Sequence, residues 1–171
     1  MRPITCWLNY LETRQMNNIV KFMSKSKFLI VCLIVGVILP FRFTITDSVT
    51  PRIFYLSYSG VTKKGDYILF KRKHDNISKF SWIKESIKQV TGVSGDTVEE
   101  RKGEYFINGQ SMGMAKPFNG KGQLLVKGAT GVIPKGYLYV HGTGKNSLDS
   151  RYEAMGWIHE NSVIARAIPI W

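Results

Sequence analysis

The chain is short of cysteine, of acid and of long apolar runs, and each shortage narrows what it can be. Its two cysteines, Cys6 and Cys32, both precede residue 46, so the rest of the chain can hold neither a disulfide nor a cysteine-based metal site. Twelve acidic residues stand against 24 basic ones, a formal charge of +12, which suits anionic lipid headgroups or an acidic partner. Nucleic acid is the other polyanion such a balance could serve. The aromatic residues, however, do not alternate with Lys and Arg as a base-stacking platform requires, so no nucleic-acid partner is expected. His74 has no companion at metal-ligand spacing. There is no P-loop or dinucleotide fingerprint, no internal repeat and no low-complexity tract. With 171 residues and 44% hydrophobic composition, the chain has room for one globular domain with a real core, plus an anchor.

Phe28 to Phe41, FLIVCLIVGVILPF, is the one strongly apolar run. Its fourteen residues make about 21 Å of helix, short of the roughly 30 Å of a bilayer core. Length alone would suit the apolar stretch of a cleaved leader. No small-x-small cleavage pattern follows, because Arg42-Phe43-Thr44-Ile45-Thr46 is too bulky for processing. Extending the span upstream through Phe22 and Met23, with Arg42 snorkelling outward, brings it near the required length. The expectation is an uncleaved transmembrane anchor over 28–45 behind a basic cytoplasmic tail over 1–27. In that tail Arg2, Arg14, Lys21, Lys25 and Lys27 face a single acid, Glu12, and such a flank stays in the cytoplasm. Arg52, Lys63, Lys64, Lys71, Arg72 and Lys73 beyond the run blur that orientation. Met16 and Met23 are alternative starts, and a start at Met23 would give the leader MSKSK directly before the apolar run.

Past the anchor the patterning is that of strands. Ile53 to Tyr58, Asp66 to Lys71, Ser86 to Val93 and Tyr137 to His141 read as β-strands, with Gly60 and Gly65 punctuating the first two. Asn108-Gly109 is a strong hairpin signal. Residues 111–129 are glycine-rich and irregular, with no legible role. Trp82 lies in a charged stretch, Lys73 to Glu85, and suits a loop, a core or a membrane interface equally. The fold expected over 46–171 is mainly antiparallel β, with strands every 8 to 15 residues and few helices outside the anchor.

Three short blocks carry candidate chemistry: Thr46-Asp47-Ser48-Val49-Thr50-Pro51 straight after the anchor, Lys88 to Asp96 in the middle, and Gly142 to Tyr152, GTGKNSLDSRY. A serine hydroxyl is a weak nucleophile at neutral pH and needs an adjacent base. A lysine can be that base only when deprotonated, and moving its pKa from ~10.4 to ~8 means disfavouring the charged form by about 3 kcal/mol. Burial among apolar residues can do this. Lys88 lies in a strand-like run that puts Val90 on the same face. Taken singly, a lysine in a chain this basic is a solvated surface residue, a serine is a turn or cap, and Thr46 is a strand residue with an exposed hydroxyl. The order of the blocks is what singles them out.

In that order, Ser-x-x-Pro after an apolar anchor, Lys-x-x-x-Gly-x-x-Gly-Asp-x-Val, then Asn-Ser-x-Asp-Ser-Arg-Tyr, they resemble the signal peptidase I family (S26), the serine/lysine endopeptidases that remove leader sequences at a membrane surface. Gly65-Asp66-Tyr67-Ile68-Leu69-Phe70 resembles a further, structural block of that family. The resemblance spans about residues 45–168. It implies a signal-peptidase-like antiparallel β domain preceded by one N-terminal transmembrane helix, with 46–171 as a periplasmic catalytic domain on the outer side of the inner membrane. It makes Ser48 the nucleophile and Lys88 the general base. Thr46, with the Ser48 backbone N–H, becomes the oxyanion hole, Ser147 the partner that orients the lysine, and Asp149 with Arg151 the pair that holds the site. It calls for no cofactor and no metal.

Gly142-Thr143-Gly144-Lys145-Asn146-Ser147 lacks the Asp-Asn of the housekeeping enzymes, and Gln89 stands where they usually carry Arg. With its short length, single anchor and basic composition, the chain looks most like the conjugative-transfer branch (TraF-like). Members of that branch mature pilin, some of them joining its ends into a ring, and in them the residue at the position of Asp149 counts as catalytic. Asp149 is equally readable as purely structural. The implied partners are an exported precursor, pilin or a secreted preprotein, and membrane lipid. A housekeeping signal peptidase I and a non-catalytic membrane-tethered subunit of a secretion or pilus assembly stay open as alternatives.

Overall fold

Apolar and polar residues alternate along most of the chain beyond Pro40, and glycines with left-handed backbone interrupt the alternation. Such a chain buries one face of each extended segment and turns sharply between segments. The computed structural model describes residues 40–44, 49–72, 84–144 and 146–171, with Lys27, Ile30, Leu33, Val35 and Gly36. The chain divides into two units, Met1–Pro40 and Phe41–Trp171. In the first, Lys27, Ile30, Leu33, Val35 and Gly36 are helical and exposed, and Pro40 is a half-buried turn residue. Among the described residues no helix is long and apolar enough to cross a membrane. The basic tail except Lys27, most of the expected anchor, Thr46, Ser48, His74 and Trp82 lie outside the described residues.

The second unit is mainly antiparallel β. Eleven strands are described: β1 (Phe41–Phe43), β2 (Ile53–Ser57), β3 (Tyr67–Lys71), β4 (Glu85–Gly92), β5 (Thr97–Arg101), β6 (Glu104–Ile107), β7 (Gln110–Met114), β8 (Gly131–Val132), β9 (Tyr137–His141), β10 (Ile158–His159) and β11 (Val163–Pro169). β1 begins at Phe41, inside the stretch read as anchor. Its ring meets Tyr55 edge-on at 5.8 Å, and Phe43 lies opposite Ile53. A seven-stranded sheet has the order β1-β2-β11-β3-β4-β9-β10, and a four-stranded sheet the order β7-β6-β5-β8. β6 and β7 are joined by Asn108-Gly109, both left-handed, with φ of 49° and 80°, the two-residue turn whose twist matches that of its strands.

The large sheet buries apolar side chains on both faces. Phe54, Leu56, Leu69, Ile87, Ala165 and Ala167 cluster on one. Ile68, Phe70, Val90, Leu138 and Val140 cluster on the other, with Met155 and Ile158. A third cluster, with Val98, Tyr105, Ile107, Met112 and Ile133, belongs to the small sheet and takes in Tyr139 from β9. The junction between the sheets is tight at Gly92, where an added Cβ would lie 2.8 Å from the Ile133 side chain and 3.0 Å from Tyr139 Cβ.

Candidate active site

β4 positions the lysine. Its residues alternate between the two apolar clusters, so Ile87 enters one and Val90 the other. Lys88 shares the face of Val90 and lies opposite Ile68 of β3. The side chain therefore crosses apolar ground before its ammonium finds a partner, and the residue is 2% exposed. That partner is Ser147, whose Oγ lies 2.6 Å from Lys88 Nζ. Burial holds the lysine near 8, well below its ordinary value; Asp149 pulls the other way, and the positive charges of Arg72 and Arg151 add to the depression. An amine so placed is available in neutral form near physiological pH and can accept a proton.

The partner comes from the turn that follows β9. Ser147 N–H donates to the Gly144 carbonyl at 3.0 Å, and Gly142 N–H donates to Asp149 Oδ2 at 3.1 Å. Asp149 is fully buried and grips Arg151 through two oxygens, Nε to Oδ1 at 2.9 Å and Nη2 to Oδ2 at 2.8 Å. A buried carboxylate needs such a bidentate partner to offset its desolvation. Ser150 ties the block to β9, accepting from Val140 N–H and donating to the Gly156 carbonyl at 2.7 Å.

Residues 111–129, which carried no legible role, turn out to brace this block. Arg151 Nη1 donates to the Met114 carbonyl at 3.0 Å, and Lys116 N–H donates to the Tyr152 hydroxyl at 3.0 Å. Gly128 N–H donates to the Arg151 carbonyl, and Glu153 N–H to that of Val126. Gly128 lies so close that a Cβ there would strike the Ser150 carbonyl. Lys116 Nζ also reaches Asn146 Oδ1 at 2.9 Å, beside Ser147.

Lys88, Ser147, Asp149 and Arg151 are thus brought together, while Thr46 and Ser48 lie outside the described residues. The segment around these two is bracketed. On its two sides Thr44 N–H donates to the Arg52 carbonyl at 2.9 Å, continuing the β1–β2 pairing. Beyond Ser48 the chain resumes with Val49, buried in the cluster that holds Ile87, and Thr50, whose hydroxyl is 2.9 Å from that of Thr143. Sequence patterning missed His141. Its Nε2 lies 4.0 Å from Asp149 Oδ2, and burial keeps the imidazole below its ordinary pKa against the pull of that carboxylate. Nothing in Tyr137-Leu138-Tyr139-Val140-His141 distinguishes it from any last residue of a strand.

A family model for signal peptidases, described as signal peptidase, peptidase S26, matches residues 19–171. A solved signal peptidase I from Enterococcus faecalis V583 aligns with 63% of this chain and 97% of its own, at 23% identity and a TM-score of 0.41. Among curated proteins none matches.

Proposed function

Since the chain belongs to the signal peptidase family S26, serine endopeptidases that act on exported precursor proteins, we propose that it cleaves its precursor with Ser48 as nucleophile and Lys88 as base. The observation that carries this is the burial of Lys88 with its amine on Ser147 Oγ, which favours the neutral base the chemistry needs. Neutral Lys88 takes the proton of Ser48 Oγ as that oxygen attacks the scissile carbonyl. The Ser48 backbone N–H and the Thr46 hydroxyl hold the oxyanion, a type of donor whose loss costs about 100- to 1000-fold in rate. Lys88 then hands its proton to the leaving amine, and an acyl-serine remains. Water ends the cycle by hydrolysis, or an amine of the same substrate ends it by closing a ring. Ser147 keeps the lysine amine aimed, and Asp149 with Arg151 keeps Ser147 and Gly142 in place.

The substrate in this reading is a segment with small residues before the scissile bond, added as an extended strand beside the site. The apolar run over 28–45 anchors the enzyme in the inner membrane, with 46–171 on the periplasmic side. Gly142-Thr143-Gly144, in place of the housekeeping pattern, favours the conjugative branch and pilin as the precursor. The test is precursor processing in cells carrying wild type, Ser48→Ala or Lys88→Ala, read by mass spectrometry of product termini. Uncut precursor with both variants is expected, and a pilin product lighter by one water would identify ring closure. Normal processing by both variants would overturn the reading in favour of a non-catalytic assembly subunit. Processing of many secreted precursors would make the chain a housekeeping enzyme.

A further inference from the structure

The hydroxyls of Thr50 and Thr143 meet at 2.9 Å across 93 positions of sequence. Each sits on a segment fixed on its other sides. Thr50 follows Val49, which is buried beside Ile87, and precedes Pro51, whose ring restricts the backbone and whose carbonyl accepts from Thr44 Oγ1 at 3.1 Å. Thr143 lies between Gly142, whose N–H is held by Asp149 Oδ2, and Gly144, whose carbonyl holds Ser147 N–H. One short circuit therefore runs from Ser48 through Thr50 to Thr143, then along the turn to Ser147 and across to Lys88 Nζ. Every link beyond Thr50 is a hydrogen bond or a short run of chain.

We propose that the Thr50–Thr143 hydroxyl pair is a positioning clasp that sets the separation between the nucleophile-bearing loop and the lysine. The proposal rests on the reading of Ser48 as nucleophile. Two short neutral hydroxyls can share a hydrogen at this distance with no charge to desolvate. Both threonines are exposed, so the bond adds little to global stability, as exposed polar contacts do. Its effect lies in geometry, because small displacements between reacting groups are costly in rate.

The full chain in detergent micelles, acting on a reporter precursor, provides the test. Thr50→Val and Thr143→Val keep the side-chain shape and remove the hydroxyl. Each is expected to lower kcat about five- to tenfold, as a small displacement of the reacting groups does, with KM, the melting temperature and the pH midpoint of activity unmoved. The double valine variant is expected to match either single, because both break one bond. Thr50→Ser and Thr143→Ser, which retain the hydroxyl, are expected to restore kcat. Wild-type kcat in both valine variants would overturn the clasp, as would losses that multiply in the double variant or serine variants as slow as the valines. Ser48→Ala run alongside separates the two levels: undiminished activity there removes the nucleophile reading itself, whereas an inert Ser48→Ala beside unaffected valine variants removes only the clasp.

Discussion

Replacing Lys88 by methionine is expected to stabilise the protein at neutral pH and to do nothing for it at pH 10. The lysine is held near 8 against an ordinary value of 10.5. At about 1.36 kcal/mol per pH unit, keeping it charged inside the folded chain costs about 3 kcal/mol. Between those two values the folded chain binds fewer protons at this position than the unfolded chain, so stability rises with pH across the window. The full penalty stands below pH 8 and is gone above pH 10.5. Methionine occupies similar space without charge, so at pH 7 it relieves the penalty while stranding the Ser147 hydroxyl, a loss of about 1 kcal/mol. The net gain expected at pH 7 is about 2 kcal/mol, falling to about zero at pH 10, where the lysine's own penalty has shrunk to about 1 kcal/mol. Urea unfolding of the full chain in a nonionic detergent, followed by tryptophan fluorescence at both pH values, measures the two gaps. Equal gaps, or a wild type more stable than the variant at pH 7, would refute the argument that burial governs the protonation of this lysine.

Activity is expected to follow the same group. kcat/KM should climb with pH through about 8, with roughly a tenth of the lysine neutral at pH 7, and a profile flat from pH 6 to 10 would count against Lys88 as base. Lys88→Arg should be inert, because a guanidinium does not lose its proton in a protein; a working arginine variant would sink the assignment. Arg151→Met strands a fully buried Asp149 and should cost about 3–5 kcal/mol of stability, so a melting temperature close to wild type would show that the pair holds nothing together. Gly128→Ala drives a methyl into the Ser150 carbonyl. About 1–3 kcal/mol of overpacking strain is expected, with loss of processing, and wild-type behaviour in both would mean that the 111–129 segment does not brace the block.

Local features were legible in the sequence and long-range ones were not. Tyr137–His141 announces itself as a strand, and Asn108-Gly109 as a turn, because alternation and left-handed backbone preference act over a few residues. That Lys88, Ser147, Asp149 and Arg151 come together could be anticipated only from the resemblance of whole blocks, since no periodicity links residues some 60 positions apart. The insertion of β11 between β2 and β3 left no local mark, because a strand's neighbours are chosen by the complete sheet. Residues 111–129 looked irregular for a related reason. Ser111–Met114 belongs to β7, but beyond it the backbone bonds within short turns and to the 149–153 block, as from Leu125 to Pro117 and from Gly128 to Arg151, so no period appears. His141, Thr50 and Thr143 are ordinary residues at ordinary positions, and only the folded chain shows what they face.

The place of β11 carries a consequence for timing. β2, which follows Thr50, and β3, which pairs with the Lys88 strand, flank it, and within the sheet each pairs with β11 and not with the other. A growing chain that has not yet released residues 163–169 leaves β2 and β3 without their shared ladder partner, however complete the individual hairpins are. The shared ladder of these two strands is thus the last part of the sheet to become available, because its residues lie at 163–169.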